Sequence, residues 1–122
     1  MNTKELRCGL VLVLTLLAFS PLHAAKVRDP DSPTILLTGS NRGVGLALAQ
    51  EYAAQGWNVI ATCRTPSKAK ELQALAAGNP KVLVEKLDVT DLREIGKLAE
   101  KYRGVPVDVL FNNAAWLGEP IA

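Results

Sequence analysis

Glycines at 39, 43 and 45, spaced G-x-x-x-G-x-G between an apolar run and a helical pattern, are the residues of this chain best suited to chemistry. The chemistry they suit is the gripping of a phosphorylated nucleotide by bare main chain. Gly39 is expected to permit a tight turn off a strand, and Gly43 to let the backbone approach a pyrophosphate with no Cβ between. Gly45 is expected to bring the following helix close onto the sheet. Free N–H groups at the start of that helix, at the positive end of its dipole, would face the phosphates. Ser40, Asn41, Arg42 and Val44 complete the same turn.

Which nucleotide is read from the end of the second strand, where sites that take NAD carry an acidic residue about 20 positions beyond the glycines. This chain has Thr62-Cys63-Arg64-Thr65 there, and Arg42 sits inside the glycine turn. Two guanidinium groups can reach a 2′-phosphate, with charge-assisted hydrogen bonds worth roughly 1.5 to 3 kcal/mol each, whereas a carboxylate would repel it. NADP is therefore favoured over NAD. The plain alternatives are a solvated arginine at a strand end for Arg64 and a first-turn surface residue for Arg42. Cys63 reads as a small packed residue, although an adjacent arginine could lower its thiol pKa.

These residues meet only if strands and helices alternate. Thr34 to Thr38 has the short apolar character of a buried strand, and 44–55 reads as a helix that Gly56 stops. Val44, Leu48, Tyr52 and Gln55 fall on one stripe of that helix, with Ala47, Ala49 and Ala53 as small packing residues. Asn58 to Thr62 is the second strand. Thr65 is expected to cap, and Pro66 to open, a helix whose face is Ala69, Leu72, Leu75 and Ala76. Lys81 to Leu87 is the third strand. Asp91 with Glu94 resembles a capping box over a helix carrying Leu92, Ile95, Leu98, Ala99 and Tyr102, which Gly104 and Pro106 end. Val107 to Phe111 is the fourth strand and runs into Asn112-Asn113-Ala114-Ala115.

The order β-α-β-α-β-α-β defines an α/β chain, a Rossmann-like doubly wound parallel sheet of strand order 3-2-1-4, truncated after strand 4. Gly39, Arg64, Asp88 and Asn113 then lie at the four strand ends that converge on the switch between strands 1 and 4. Strand 4 would show one unpaired apolar edge, and the chain reads as a fragment or truncated product of a longer protein. A four-stranded sheet standing alone is the alternative, with a marginal core.

Composition agrees with one α/β domain: 122 residues, 48% hydrophobic and 21% charged. The net charge of +2 is scattered, so no nucleic-acid surface is expected. The single histidine, His23, and the cysteines Cys8 and Cys63 offer no His-containing triad or metal site in a mature chain. Lys4 and Arg7 precede an uncharged apolar run from Gly9 to Phe19 and a cleavage-like Ser20 to Ala25, so residues 1–25 read as a secretory signal peptide. A run of that length falls short of the about 20 residues of a membrane span, and no permanent transmembrane helix is expected. An uncleaved anchor and a mistaken start site stay open. Residues 26–33, with Pro30 and Pro33, read as a linker, and 34–122 as the N-terminal part of a nucleotide-binding domain. The compartment implied is the secretory pathway or periplasm, or the cytoplasm if the start site is wrong.

Three motifs in order, Thr38-Gly39-Ser40-Asn41-Arg42-Gly43-Val44-Gly45, Leu87-Asp88-Val89-Thr90-Asp91 and Val107 to Ala115, resemble the N-terminal half of a short-chain dehydrogenase/reductase. Asn41-Arg42-Gly43 and Ala61-Thr62-Cys63-Arg64 are similar to NADP-dependent carbonyl reductases of the sniffer and C-factor type. The resemblance implies hydride transfer between a nicotinamide and a small-molecule carbonyl or alcohol. It implies that Gly39, Ser40, Asn41, Arg42 and Val44 wrap the adenosine and pyrophosphate, and that Asp88 and Val89 sit by the adenine. Asn113 would border the adenosine and ribose, and Asn112 would tie strand 4 to neighbouring backbone. Asp88 could instead cap the approach to a helix, and Ala115 stands where the family has glycine. The family's catalytic Ser and Tyr-x-x-x-Lys are expected beyond Ala122, since Tyr52 and Tyr102 are followed four residues later by Gly56 and Pro106. Trp57 and Trp116 read as packing or rim residues, and the intact protein as a possible homo-oligomer. The other readings are a noncatalytic nucleotide-binding or signalling module, and an inert truncated product.

Overall fold

A computed structural model describes Val27 and residues 29–117; the leader read over residues 1–25 lies outside them. Four strands, β1 (Thr34–Leu37), β2 (Asn58–Cys63), β3 (Val82–Lys86) and β4 (Val109–Phe111), form one parallel sheet in the order β3-β2-β1-β4. Helices α1 (Gly43–Ala54), α2 (Lys70–Gly78) and α3 (Leu92–Lys101) make the crossovers. The doubly wound α/β architecture and strand order expected from the sequence are those observed.

β2 is buried along its whole length, as an inner strand covered on both faces must be. Its alternation divides the core. Val59, Ala61 and Cys63 join Ile35, Leu37, Leu46, Ala49, Ala53 and Leu72 on the face that α1 and α2 cover. Ile60 joins Leu87, Leu98 and Tyr102 on the face of α3.

The face expected of α2 is the one it buries, with Leu72 in the core beside Ala69 and with Leu75 and Ala76 packed against it, whereas α1 and α3 bury only part of theirs. α1 turns Gly45, Leu46, Ala49 and Ala53 inward, while Val44, the expected head of its apolar stripe, is 66% exposed. Small residues let this helix axis approach the sheet, and Leu48 and Tyr52 pack at its margin. Its end is a Schellman closure: Gly56 N–H donates to Ala53 O and Trp57 N–H to Tyr52 O, with Gly56 at φ +84°. The Tyr52 and Trp57 rings meet edge to face at 4.9 Å and seal it.

Pro66 opens a single 3-10 turn, Pro66–Lys68, rather than the second helix, and the Thr65 side chain caps nothing. Lys68 and Ala69 donate back three residues to Thr65 and Pro66, and α2 starts afresh at Lys70. At α3, Asp91 caps as expected, its Oδ1 accepting from Arg93 N–H at 2.9 Å and Glu94 N–H at 3.4 Å. The reciprocal half of the capping box does not form. Asp91 N–H is already satisfied by Asp88 O at 3.0 Å, and Glu94 reaches past it to Asp88 N–H at 2.7 Å. Leu98 and Tyr102 seat α3 on the sheet, whereas Leu92 is 82% exposed and Ile95 is exposed.

Asp108 delays β4 to Val109, because it pairs head-on with the start of β1: its carboxylate accepts from Thr34 N–H at 2.7 Å and its N–H donates to Thr34 O at 2.9 Å. No strand pairs with the outer edge of β4 among the described residues, and Leu110 there is 60% exposed. At the base of the sheet, buried Asn58 donates to Asp29 O at 2.6 Å and Ser32 O at 3.0 Å, and Lys81 pairs with the Asp29 carboxylate at 2.9 Å. The described part of the segment read as a linker is thus sewn to β2 and β3.

Candidate nucleotide-binding site

Gly39 turns off the end of β1 at φ +64°, where a side chain would press on Ala114 Cα at 2.9 Å. Gly45 lies two residues into α1, and a Cβ there would collide with the Gly39 carbonyl oxygen and with Asn113 Nδ2 at 2.7 Å. Gly43, at φ +56°, has nothing within 4 Å of where a Cβ would stand. Two glycines are therefore required by the protein's own packing, and the third faces open space. Gly39 thus makes the expected turn and Gly45 the expected close helix approach, while Gly43 has open space beside it.

The floor of this turn is a net of short bonds. Ser40 N–H donates to Thr62 O at 2.9 Å, fastening the turn to β2. The buried Ser40 hydroxyl donates to Leu37 O at 3.1 Å, so it is engaged inside the turn. Thr38 Oγ1 accepts from both Asn113 N–H and Ala114 N–H at 3.0 Å. Asn113 Nδ2 donates to Gly39 O at 3.1 Å. Asn113, not Asn112, ties β4 to the neighbouring backbone. Asn112 is exposed, because alternation from β4 turns the second asparagine toward the turn. Thr38 was not singled out in the sequence as a site residue, although its place directly before Gly39 is the signal that marks it.

Asn41, Arg42 and Val44 are exposed around the opening, and Arg42 stands at the N-cap position of α1 with no side-chain cap bond. α1 also has no acidic residue in its first turn, whereas α3 has both a capping Asp91 and Glu94. Among the described residues the first N–H groups of α1 thus have no side-chain acceptor, beside a bare Gly43. A helix start of this kind favours an anion, by its orphan donors and its dipole.

Leu87 N–H donates to Cys63 O at 2.9 Å and brings the ends of β2 and β3 together. Arg64, exposed, and Asp88, half-buried, flank that junction. Asp88 Oδ1 accepts from Thr90 N–H at 2.9 Å and Thr90 Oγ1 at 2.6 Å. Those two bonds, with a smaller pull from Arg64, hold its carboxyl below the usual carboxylate range. Val89 beside it is partly exposed. Cys63 is buried against α1 and α2, and burial pushes its thiol pKa up; the lowering by a neighbouring arginine does not occur. Trp57 packs on the core, and Trp116 is exposed.

Glycine turn, switch point and strand ends together define a protein of the Rossmann-like doubly wound class. The profile of the short chain dehydrogenase family matches residues 33–121, and the chain belongs to that family. Retinol dehydrogenase 13 of Mus musculus is 40% identical over 88 residues, which are 67% of this chain and 26% of that protein. A short-chain dehydrogenase/reductase from Burkholderia multivorans with bound NADP superposes with a TM-score of 0.65 at 41% identity, over 69% of this chain and 37% of the other. The carbonyl reductase Sniffer of D. melanogaster superposes with a TM-score of 0.63 at 34% identity, over 72% of this chain and 38% of that one. The chain thus spans between a quarter and two-fifths of the length of these relatives. Among the described residues no helix is long and apolar enough to cross a membrane.

Proposed function

We propose that this chain is the coenzyme-holding half of an NADP-dependent short-chain oxidoreductase acting on a small-molecule carbonyl or alcohol. The observation that carries the reading is the uncapped N-terminus of α1 beside the open, Cβ-free Gly43. In it, Gly39, Ser40, Asn41, Arg42, Gly43, Val44 and Gly45 receive the pyrophosphate and adenosine. Asp88 and Val89 lie by the adenine, Asn113 borders the ribose, and Arg42 and Arg64 take the 2′-phosphate. The coenzyme supplies the hydride; these residues bind and orient it.

The NADP preference is supported by the two exposed arginines at strand and helix ends with no carboxylate at the end of β2, and by NADP in the Burkholderia relative. Arg64→Asp is expected to lower the ratio of NADP to NAD affinity by roughly tenfold or more, since one charge-assisted hydrogen bond is replaced by repulsion. Titration calorimetry of the full chain with each coenzyme measures it, and an unchanged ratio would refute the assignment.

A second reading is a module that holds the nucleotide without hydride transfer, with neither tyrosine of the described residues placed at the glycine turn. Tyr102 donates its hydroxyl to Glu85 Oε1 at 2.6 Å, and Tyr52 packs on Trp57. Oxidation of NADPH by carbonyl compounds, present in one case and absent in the other, separates the two. Read with residues 1–25 as a signal peptide, the compartment is the secretory pathway or periplasm.

A further inference from the structure

We infer that Glu94 is a positioning residue for the nucleotide, holding the Asp88 loop in the shape that the adenine end requires; the inference rests on the nucleotide reading above. Glu94 belongs to the first turn of α3, outside the strand ends where the site lies. Its two oxygens have separate employments: Oε1 pairs with Lys86 Nζ at 2.7 Å and Oε2 accepts from Asp88 N–H at 2.7 Å.

Capping of α3 does not account for this reach. Asp91 already accepts from the first-turn N–H groups of the helix, and Asp91 N–H is satisfied by Asp88 O. What the Glu94 carboxylate adds is a clamp on the main chain at Asp88, one residue beyond the bond from Leu87 N–H to Cys63 O that joins the ends of β3 and β2. Asp88 is then fixed from both sides, by Glu94 at its amide and by Thr90 at its Oδ1. Its carboxylate stands within the field of Arg64, and among the described residues Oδ2 has no hydrogen-bond partner. Glu94, Asp88 and Thr90 form a line of support from the first turn of α3 to the proposed coenzyme pocket, and its key member is the acceptor that Glu94 offers to Asp88 N–H.

Affinities of the full chain for NADP and NAD test the role. Glu94→Ala is expected to weaken both coenzymes by about tenfold, because the adenine end is common to them, whereas Arg64→Ala weakens NADP alone. Glu94→Gln restores binding to within about twofold, since an amide oxygen still accepts from Asp88 N–H. Lys86→Ala, which removes the ion pair and leaves the acceptor, also stays within about twofold. Hydrogen exchange at the Asp88 amide quickens in Glu94→Ala while the amides of β1 and β2 keep their protection. Glu94 belongs to neither apolar cluster and the Asp91 cap remains, so the fold is expected to persist. Unaltered affinity in Glu94→Ala with quickened Asp88 exchange overturns the inference. So does a loss that Gln fails to restore, which would make the effect one of charge. An unaltered chain that binds neither coenzyme overturns the nucleotide reading itself, and this role with it.

Discussion

Gly43 and Gly45 are two residues apart, yet an added methyl group acts on different properties at each. At Gly45 it meets the Gly39 carbonyl and the Asn113 amide, which are hydrogen-bonded to each other, so Gly45→Ala is expected to cost roughly 1–3 kcal/mol of folding stability as overpacking. At Gly43 it meets nothing, and the cost is the strain of a left-handed residue, about 1–2 kcal/mol, together with the loss of the space a phosphate would enter. Urea denaturation should show the larger loss for Gly45→Ala, and coenzyme titration the larger loss for Gly43→Ala. The spacing of the three glycines was legible because only backbone geometry is at stake. The division of labour between Asn112 and Asn113 was not, since it depends on the residue at which β4 ends.

Helix α3 is seated on the sheet by Leu98 and by Tyr102 at its C-cap. Burial pushes the Tyr102 phenol pKa up from 10.0, and its hydrogen bond to Glu85 pushes the same way. A group raised in the folded state lends stability that is fully present below its unfolded pKa and is lost as the pH climbs past it. Unfolding should therefore become easier above pH 10.0, the ordinary value for the group. Tyr102→Phe is expected to flatten that alkaline limb and to cost roughly 1.5–3 kcal/mol at neutral pH through the lost bond to a carboxylate. Denaturation midpoints from pH 8 upward (about two units either side of the transition) check both effects. The existence of α3 was plain from Asp91 and its period; which residues it buries was not. Leu92 and Ile95 fit an apolar stripe as well as Leu98 does, and only the helix's angle on the sheet selects among them.

Taken whole, the molecule is knit at both ends of its sheet, by the glycine turn above and by Asp29, Asn58 and Lys81 below. Ser32 and Lys81 hold the Asp29 carboxyl down at about 2, from 3.8. A depressed carboxyl lends stability above its unfolded pKa and loses it as pH falls through the folded one. Acid should therefore weaken the fold between pH 3.8 and about 2, and Asp29→Asn should flatten that limb while lowering stability at neutral pH. Thermal midpoints across that range decide it. The sequence around Asp29, rich in proline and charge, reads locally as a connector. Its anchoring follows from partners 29 and 52 residues away along the chain, at Asn58 and Lys81.

By itself the sequence determined the alternation of strands and helices, the order of the sheet and the family, because hydrophobic period, glycine spacing and ordered motifs are local properties written in consecutive residues. Tertiary structure decided which side of α1 faces the sheet, which asparagine closes the turn, and that Glu94 serves Asp88 rather than its own helix. Each of these depends on how closely two backbones approach, and that distance is set by residues far apart in the chain.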